Sequence, residues 1–398
     1  MATVVLVGTL DTKGAEYAWL RDRVRELGCD TVLVDTGAGP SDVAADVTAE
    51  EVARAGGTTL DALRDARDRG AAVTVMGEGA AAVLAGLDQM DAVLAVGGSG
   101  GSSIAARAVR DLPIGLPKLI VSTMASGDVT PYVGGKDVTL MYSVVDIAGV
   151  NRVSRLILGN AAAAAAGMAK AYAPSGSGDD RPLIGASMFG VTTPAVDAAR
   201  ERLDELGYEV LVFHATGAGG RALEGLVESG LLAGVLDLTT TELADDLVGG
   251  VLSAGPDRLT AAGKHGVPQV VAPGALDMVN FGPRETVPER FQERNLYVHN
   301  PTVTLMRTTP EEMAELGRRV ASKLAAATGP TALFLPLGGV SALDASGMPF
   351  HDPEADAACF AAMDGAVETE RLDMNINDPA FGCAMADRLH QMITEEAQ

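Results

Sequence analysis

Residues 3–14 of this chain read TVVLVGTLDTKG. Positions 3–7 are all apolar or β-branched, a pattern typical of a strand that is buried on both faces of a parallel sheet. Small, hydroxylated and charged residues follow over Thr9–Gly14, where a parallel α/β sheet places its ligand: beyond the end of a strand, at a helix N-terminus. The stretch therefore predicts an α/β fold with an anion site in its first loop.

The chemistry of this loop favours a phosphate. Free backbone N–H groups and the helix dipole attract an anion, and Lys13 adds a positive charge. Thr12 either caps the helix or donates a hydrogen bond to the ligand. A purely structural interpretation stays open, in which Thr12 is only a cap and Lys13 only a solvated side chain.

The composition bounds the class of protein. A chain of 398 residues is long enough for two or three domains, and its 47 glycines suit tightly packed α/β units. The net charge of −23 argues against nucleic acid and anionic membranes as partners, because no basic stripe offsets it. The three cysteines lack metal-binding spacing, and the sequence shows neither a basic leader nor an uninterrupted apolar run of about 18 residues. We therefore expect a soluble, cytoplasmic protein with reduced thiols.

The pattern of the first unit recurs in the second half. A strand, a helix ending in Glu-Leu-Gly, a second strand and the tetrapeptide TGAG follow one another up to residue 39, and the same order returns between residues 183 and 219. The Pro/Gly/Ser-rich residues between the halves are typical of a linker. The repeat predicts a duplicated α/β fold, with an N-terminal domain at 1–172, a linker at 173–182 and a C-terminal domain at 183–398. Residues 41–87 have a helical pattern broken by glycines, with a strand as an alternative at 72–76.

Three loops of the N-terminal half share small and polar residues. Besides the first loop, Gly97–Ser103 follows a predicted strand and opens a helix, and Ser122–Asp128 follows the next strand. Because parallel strands end at the same edge of a sheet, the loops predict one binding cleft, although tight helix–sheet packing is an alternative explanation of the glycines. Neither the dinucleotide fingerprint nor the Walker motif is present. The candidate binding residues are Thr9, Asp11, Thr12, Lys13, Gly97, Gly98, Ser99, Gly100, Gly101, Ser102, Ser122, Thr123, Ser126 and Gly127.

Two aspartates in these loops are candidates for a metal ion. A hard cation on a phosphate chain usually takes one or two carboxylates plus water, which assigns Mg²⁺ to Asp11 and Asp128. Either aspartate can instead be a turn or cap residue. The histidines of the chain have no recognisable metal-binding spacing.

The second half gathers polar residues near its own predicted strand ends. His299 or His351 is a candidate general base, and Arg284 or Arg307 is a candidate partner for a substrate carboxylate or phosphate. Asp277 lies in the same set of loops and completes a predicted catalytic set with His299, Arg284 and Arg307. A structural role is the alternative for each of these residues.

Six longer strings together resemble the Tm-1-like ATP-binding family, also called the UPF0261 family. They are VGTLDTKG at 7–14, GGSGGS at 97–102, VSTMASGD at 121–128, GALDMVNFG at 274–282, HNPTVTLMR at 299–307 and LGGVSALD at 337–344. The resemblance covers nearly the whole chain, and it implies a pair of Rossmann-like domains with ATP in the N-terminal one, commonly assembled as a dimer. The family's virus-resistance role in plants belongs to a form with an additional C-terminal region and is not carried over.

These observations lead to three hypotheses of function. The first is an ATP-dependent enzyme, with ATP and Mg²⁺ in the N-terminal cleft and a small organic or sugar acid near Arg284, His299 and Arg307. The second is a nucleotide-binding switch or interaction protein without turnover. The third is an enzyme whose chemistry lies wholly in the C-terminal domain. The substrate cannot be named from the sequence.

A homodimer is also expected. Residues 146–172 predict a long helix that is apolar or small around much of its circumference, so one domain face would bury only part of it. The alternative is that both domains of the same chain clamp this helix.

Overall fold

A computed structural model of the chain describes residues 1–172 and 181–396. They form two compact units, called here the N-terminal unit and the C-terminal unit. Of the predicted linker at 173–182, only Arg181 and Pro182 lie within the described residues. No helix in these two ranges combines the length and apolarity that crossing a membrane requires.

The N-terminal unit is built on one parallel sheet. Its strands are β1 (Thr3–Gly8), β2 (Asp30–Asp35), β3 (Ala92–Gly97), β4 (Lys118–Ser122) and β5 (Val138–Tyr142). Its helices are α1 (Leu10–Glu26), α2 (Ala49–Ala55), α3 (Leu60–Ala66), α4 (Arg69–Ala85), α5 (Ser99–Val109), α6 (Thr130–Val133) and α7 (Arg152–Ala171). The strands lie in the order β2-β1-β3-β4-β5, and every neighbouring pair is parallel.

Helices cover both faces of this sheet, as a parallel sheet requires. Helices α1 and α7 pack on the face that carries Val4 and Leu6, whereas α2, α4 and α5 pack on the face that carries Val5 and Val7. Alternate side chains of β1 thus enter two separate cores. This arrangement confirms the predicted α/β class with mostly parallel sheets flanked by helices.

Residues 72–76, for which a strand was an alternative, belong to helix α4. The β-branched residues of this stretch favour a strand by propensity, but close helix packing decides the outcome. A Cβ built on Gly79 of α4 would lie 2.0 Å from the carbonyl oxygen of Val52 in α2. Tertiary packing against α2 therefore overrides the local preference.

The C-terminal unit repeats this architecture and enlarges it. Its strands are β6 (Leu183–Met188), β7 (Glu209–His214), β8 (Gly234–Thr239), β9 (Gln269–Gly274), β10 (Met278–Phe281), β11 (Leu296–Asn300), β12 (Val303–Arg307), β13 (Thr331–Pro336) and β14 (Glu368–Leu372). Its α-helices are α8 (Thr193–Glu205), α9 (Ala218–Glu228), α10 (Glu242–Val248), α11 (Ala261–Lys264), α12 (Pro310–Ala325), α13 (Pro353–Met363) and α14 (Pro379–Glu396), with 3₁₀ turns at Arg284–Thr286 and Glu289–Phe291.

Strand order confirms the duplication. The parallel sheet of the C-terminal unit runs β7-β6-β8-β9-β13-β14, so its first five strands lie in the order of β2-β1-β3-β4-β5. Strands β10, β12 and β11 form a separate antiparallel sheet. In both units the first strand lies between the second and the third. The chain thus goes from the first strand to a neighbour on one side and then crosses to the third strand on the other side. Where the direction of the connections reverses, between the first and third strands, a crevice opens at the carboxyl ends of the strands.

Helix α7 contains most of the segment for which a dimer contact is predicted. Its alanine-rich face packs against the sheet, whereas Val153 and Leu156 near its N-terminus are exposed. The homodimer stays a prediction.

Candidate functional site

A cavity of about 560 Å³ lies in the N-terminal unit at the crevice between β1 and β3. Four strand ends contribute to its lining, which includes Thr9, Asp11, Thr12 and Lys13 after β1, Thr36 and Ala38 after β2, Gly98, Ser99, Gly100 and Gly101 after β3, and Thr123 and Met124 after β4. Its volume lies within the range of about 300–1,000 Å³ that is common for small-molecule sites. The strand order of the sheet therefore places a pocket where the sequence predicts one.

Two helix N-termini meet at this cavity. Among the described residues, Thr9, the cap residue of α1, makes no side-chain cap hydrogen bond, and Gly98, the cap residue of α5, has no side chain with which to make one. In the same unit the side chains of the cap residues of α2, α3, α4 and α7 accept hydrogen bonds from backbone N–H groups. The first N–H groups of α1 and α5 have no intrahelical acceptor. The N–H groups in the first turn of α5, with the positive ends of both helix dipoles, are thus at the disposal of an anion in the cavity, whereas in α1 the N–H of Leu10 already donates to Asp35.

The opposite wall of the cavity comes from α4. Arg69, Ala72, Val73 and Met76 line it, and Ile104 of α5 adds to the apolar surface. Sequence reasoning missed this wall because it did not place α4. The sequence nevertheless contained a helical pattern, since the four α4 positions 69, 72, 73 and 76 follow the i, i+3, i+4, i+7 spacing of one helix face.

Carboxylates tie the first loop of the cavity to the loop after β2. Asp35 Oδ1 accepts hydrogen bonds from the N–H groups of Leu10 (3.1 Å) and Gly37 (2.8 Å), and Asp11 Oδ2 accepts one from the N–H of Gly39 (2.8 Å). Burial raises the pKa of Asp35. A Cβ on Gly37 would lie 2.7 Å from Asp11 Oδ1, so the loop approaches this carboxylate closely. One oxygen of Asp11 is therefore engaged within the protein.

A second loop is held against α1 at the mouth of the cavity. Lys13 Nζ donates to the carbonyl oxygen of Ile147 at 2.6 Å, and Glu16 Oε1 accepts from the N–H of Gly149 at 2.6 Å. These bonds fix the segment that contains Asp146, which also lines the cavity. An ammonium group has three donors, so Lys13 retains capacity for a ligand while it positions this loop.

The structure brings most of the predicted binding residues to the cavity and places the others behind it or outside it. Thr9, Asp11, Thr12, Lys13, Gly98, Ser99, Gly100, Gly101 and Thr123 line it, whereas Gly97, Ser102, Ser122, Ser126, Gly127 and Asp128 do not. The hydroxyls of Ser102 and Ser122 hydrogen-bond to each other at 2.6 Å in the interior. A Cβ on Gly97 would lie 2.8 Å from the backbone of Gly101, so this glycine serves close strand–helix packing.

The two predicted magnesium ligands have different surroundings. Asp11 lines the cavity, but exposed Asp128 accepts a hydrogen bond from the N–H of Thr130 at 3.0 Å, and its bonds to Thr130 lower the pKa of Asp128. This is the turn role that the sequence left open for Asp128. Across residues 1–172 and 181–396 no group of three or more His, Cys, Asp or Glu side chains is arranged to hold a metal ion. The magnesium site stays a prediction.

The four predicted catalytic residues of the C-terminal unit are only partly brought together. Asp277 and Arg307 belong to one buried charged cluster. His299 is exposed on β11, next to Tyr297, and Arg284 donates to the side-chain oxygen of Gln292. Their catalytic roles stay predictions.

The buried cluster holds three carboxylates near one guanidinium. Arg307 Nη2 donates to Asp344 Oδ1 at 3.3 Å and to Asp356 Oδ1 at 3.1 Å. Asp277 Oδ2 accepts a hydrogen bond from Ser341 Oγ at 2.8 Å. Ser341 Oγ in turn accepts hydrogen bonds from two backbone N–H groups in the loop that contains Ser341. Burial raises the pKa of Asp277 to about 7 and that of Asp356 to about 8. The cluster therefore holds protons at pH values where exposed aspartates have lost theirs.

Profiles of known families match both units. The profile described as "Uncharacterised protein family (UPF0261) N-terminal domain" matches residues 2–174, and the corresponding C-terminal domain profile matches residues 181–393. The chain belongs to the UPF0261 family. This confirms the family to which the six sequence strings pointed.

Relatives in the UPF0261 family align over nearly the whole chain. A UPF0261 protein of Clostridium tetani is 52% identical over 399 residues, covering 98% of each chain. A UPF0261 protein of Rhizobium meliloti is 50% identical, covering 96% of each chain. The ToMV resistance protein Tm-1(GCR237) of Solanum lycopersicum is 41% identical over 96% of this chain, which spans 55% of the tomato protein.

In this UPF0261 chain the buried carboxylates predict a pH dependence of stability. The pKa values of Asp277, Asp356 and Asp245 are raised in the folded state to about 7, 8 and 7, from an ordinary value of 3.8. The stability that protonation contributes is fully present below the unfolded pKa and is lost as the pH rises through the folded pKa. Lowering the pH from about 8 to about 5.5 is expected to raise the free energy of unfolding of the C-terminal unit by roughly 2 kcal/mol or more, since one group with a folded pKa of about 7 contributes that much.

Urea unfolding followed by far-UV circular dichroism at several pH values measures this effect. The variant Asp356→Asn should be more stable than the parent at about pH 8 and should show a flatter pH profile, because one buried charge is removed. A parent protein whose stability increases from about pH 5.5 to about pH 8 would contradict the prediction.

Proposed function

We propose that the N-terminal unit binds ATP. The observation that carries the proposal is the meeting of two helix N-termini, those of α1 and α5, at one cavity, where the first N–H groups of α5 have no side-chain cap. The phosphate chain lies against these N–H groups, which need acceptors and favour negative charge. The family resemblance of the sequence strings supports the same ligand.

Local cations make the site suitable for a polyanion despite the net charge of −23. Lys13 and Arg69 line the cavity on opposite sides, one on α1 and one on α4. Charge-assisted hydrogen bonds from such groups to phosphate oxygens are stronger than neutral ones. Mg²⁺ would bind mainly to phosphate oxygens and water.

The wall formed by α4 suits the purine base. Ala72, Val73 and Met76 of α4, with Ile104 of α5, supply an apolar surface in the same cavity as the phosphate-binding helix ends. Sites for small molecules typically combine such a surface with a few polar groups that fix orientation. One cavity therefore offers both parts of a nucleotide a suitable environment.

Substituting Gly100 tests the proposal. A Cβ on Gly100 would lie 3.6 Å from Arg69 Nη2 and 3.7 Å from Val73, so alanine fits the fold but projects into the cavity. Gly100→Ala is expected to weaken ATP binding about 10-fold or more, because the methyl group keeps phosphate away from the helix N-terminus. Calorimetry with ATP in the presence of Mg²⁺ measures the affinity.

Gly167→Ala is the matched control. This glycine lies on the exposed side of α7, and within the described part of the chain a Cβ there has no atom within 4 Å. The control should gain about 0.5–1 kcal/mol of stability, as glycine-to-alanine changes in helices do, and it should bind ATP like the parent. Absence of binding by the parent at about millimolar ATP, or equal affinities for the two variants, would refute the proposal.

The further prediction of turnover concerns a different unit. Asp277 and Arg307, which were predicted to act on an organic or sugar acid, are buried in contacts within the C-terminal unit. The proposal is therefore limited to nucleotide binding. An ATP-dependent enzyme, a switch without turnover and chemistry confined to the C-terminal unit all stay compatible with it, and release of ADP or AMP in the presence of a metabolite pool separates the first from the other two.

A further inference from the structure

Two polar atoms in the cavity wall have no hydrogen-bond partner among residues 1–172 and 181–396. Thr36 lies directly after β2, is only 2% exposed, and its Oγ1 is buried and unpaired. Asp11 Oδ1 is also buried and unpaired, although Oδ2 of the same carboxylate accepts from Gly39. Both residues line the cavity. Buried polar atoms without partners are uncommon in native proteins, and each costs about 1–3 kcal/mol, so a ligand group is the natural partner.

Neighbouring polar groups of the same loops are already paired. The hydroxyls of Thr9 and Thr12 lie 2.8 Å apart and hydrogen-bond to each other. Ser41 Oγ donates to the carbonyl oxygen of Leu10 at 3.2 Å, and Asp35 accepts two backbone bonds. The unpaired state is thus specific to Thr36 and Asp11 and is not a general property of the loop.

The chemistry of the two atoms selects a ligand group. An ionised carboxylate oxygen only accepts, whereas a threonine hydroxyl both donates and accepts. The negative charge of a phosphate would be repelled by the Asp11 carboxylate, and an ionised phosphate has no hydrogen to donate to Asp11 Oδ1. A pair of vicinal hydroxyls satisfies both atoms, since one hydroxyl donates to Asp11 while the other exchanges a bond with Thr36.

The sheet places this pair at a suitable position. Thr36 follows β2, and β2 adjoins β1, whose end leads into one of the two phosphate-facing helices. Neighbouring strands are about 4.8 Å apart, so Thr36 lies roughly one strand spacing to the side of the α1 N-terminus, whose first turn contains Asp11. On the proposed function, the only part of the ligand that carries vicinal hydroxyls is the ribose.

We propose that Thr36 and Asp11 form a subsite for the 2′- and 3′-hydroxyls of the ribose, so that the cavity selects ribonucleotides over deoxyribonucleotides. The inference rests on the proposed nucleotide binding. A ligand that lacks one hydroxyl leaves a buried acceptor or hydroxyl unpaired, and sites built in this way reject such analogues strongly.

Calorimetry with ATP, 2′-deoxy-ATP and 3′-deoxy-ATP tests the subsite. The parent should bind ATP about 10-fold or more tightly than at least one deoxy analogue. Thr36→Val keeps the shape of the side chain and removes only an unpaired hydroxyl, so the variant should fold normally. It should lose most of the difference in affinity between ATP and the deoxy analogue that the parent binds more weakly. Thr74→Val, which changes an exposed hydroxyl on α4 outside the cavity lining, should keep that difference.

Asp11→Asn separates the ribose role from a metal role. Under the proposal it lowers ATP affinity to the same extent with and without Mg²⁺ and reduces discrimination between ATP and a deoxy analogue. A loss of affinity that occurs only with Mg²⁺ would make Asp11 a metal ligand and overturn the subsite. Equal binding of all three nucleotides by the parent would overturn the subsite and leave ATP binding intact, whereas no binding of any would refute both.

Discussion

Replacing Arg258 with methionine is expected to lower the free energy of unfolding of the C-terminal unit by about 4 kcal/mol at neutral pH. Arg258 is only 1% exposed and donates to three carboxylates. Nε donates to Glu242 at 2.6 Å, Nη2 donates to Asp237 at 2.6 Å, and Nη1 donates to Asp237 and, at 3.3 Å, to Glu224. Removal of the guanidinium would leave three carboxylates facing one another in the interior.

These carboxylates also hold local structure, which adds to the effect. Glu242 accepts from the N–H groups of Gly217 and Gly220 at the start of α9. Glu224 accepts from the N–H groups of three successive residues, 259–261, at the start of α11. Carboxylates that repel one another would separate and pull on both helix ends. The loss should shrink on acidification, because burial already raises the pKa of Glu224 and protonation removes the repulsion.

Urea unfolding followed by circular dichroism measures the loss, and Arg202→Met is the matched control. Arg202 also makes two ion pairs, with Asp387 and Glu205, but on the surface. Exposed ion pairs contribute about 0–1 kcal/mol, so the control should remain close to the parent. If Arg258→Met were no more destabilising than Arg202→Met, the role assigned to the buried cluster would be wrong.

Replacing Tyr17 with phenylalanine is expected to destabilise the N-terminal unit by about 3 kcal/mol and to weaken nucleotide binding. The buried hydroxyl of Tyr17 donates to the carbonyl oxygen of Val7 at 2.5 Å and accepts from the N–H of Val96 at 2.7 Å. Burial raises the pKa of Tyr17, so the hydroxyl stays protonated and able to donate. It joins β1 to β3 at the crevice, where the two strands diverge.

The site depends on this link because both strands end one residue further on, at Gly8 and Gly97. Those glycines lead into α1 and α5, whose N-termini face the cavity. Position 8 must be glycine for the Tyr17 side chain to lie against β1, since a Cβ there would lie 1.9 Å from the Tyr17 ring. Without the hydroxyl, a buried carbonyl and a buried N–H are left unpaired, each costing about 1–3 kcal/mol.

Fluorescence of Trp19, the single tryptophan of the chain, reports unfolding of the N-terminal unit directly because it lies on α1. Tyr142→Phe is the control, since that tyrosine is exposed at the end of β5 and its change should be nearly neutral. Equal stability of the two variants would show that the hydroxyl does not hold the strands. Loss of stability with unchanged ATP affinity would show that the strand ends are positioned by other contacts.

Several features of this protein were determined by local sequence. The run of apolar or β-branched residues at 3–7 predicts β1 because such a run is typical of a strand that is buried on both faces. The glycine-rich segment after β3 predicts a strand-to-helix turn, which the structure contains. The repeated order of strand, helix, strand and TGAG predicts the duplication, and parallel strands then bring their terminal loops to one edge. Nine of the predicted binding residues line the cavity for this reason.

Other features were decided only by tertiary structure. The α4 wall, the bond between Asp11 and Gly39 and the buried partners of Arg307 each join segments that are distant in the chain. A carboxylate in a loop has the same local sequence signal whether it binds a ligand, caps a turn as Asp128 does, or lies in the interior as Asp277 does. Local sequence specifies what a segment can form, because propensity and periodicity act over a few residues. Which side chains meet depends on strand order and helix packing, which arise from burial of apolar surface by the whole unit.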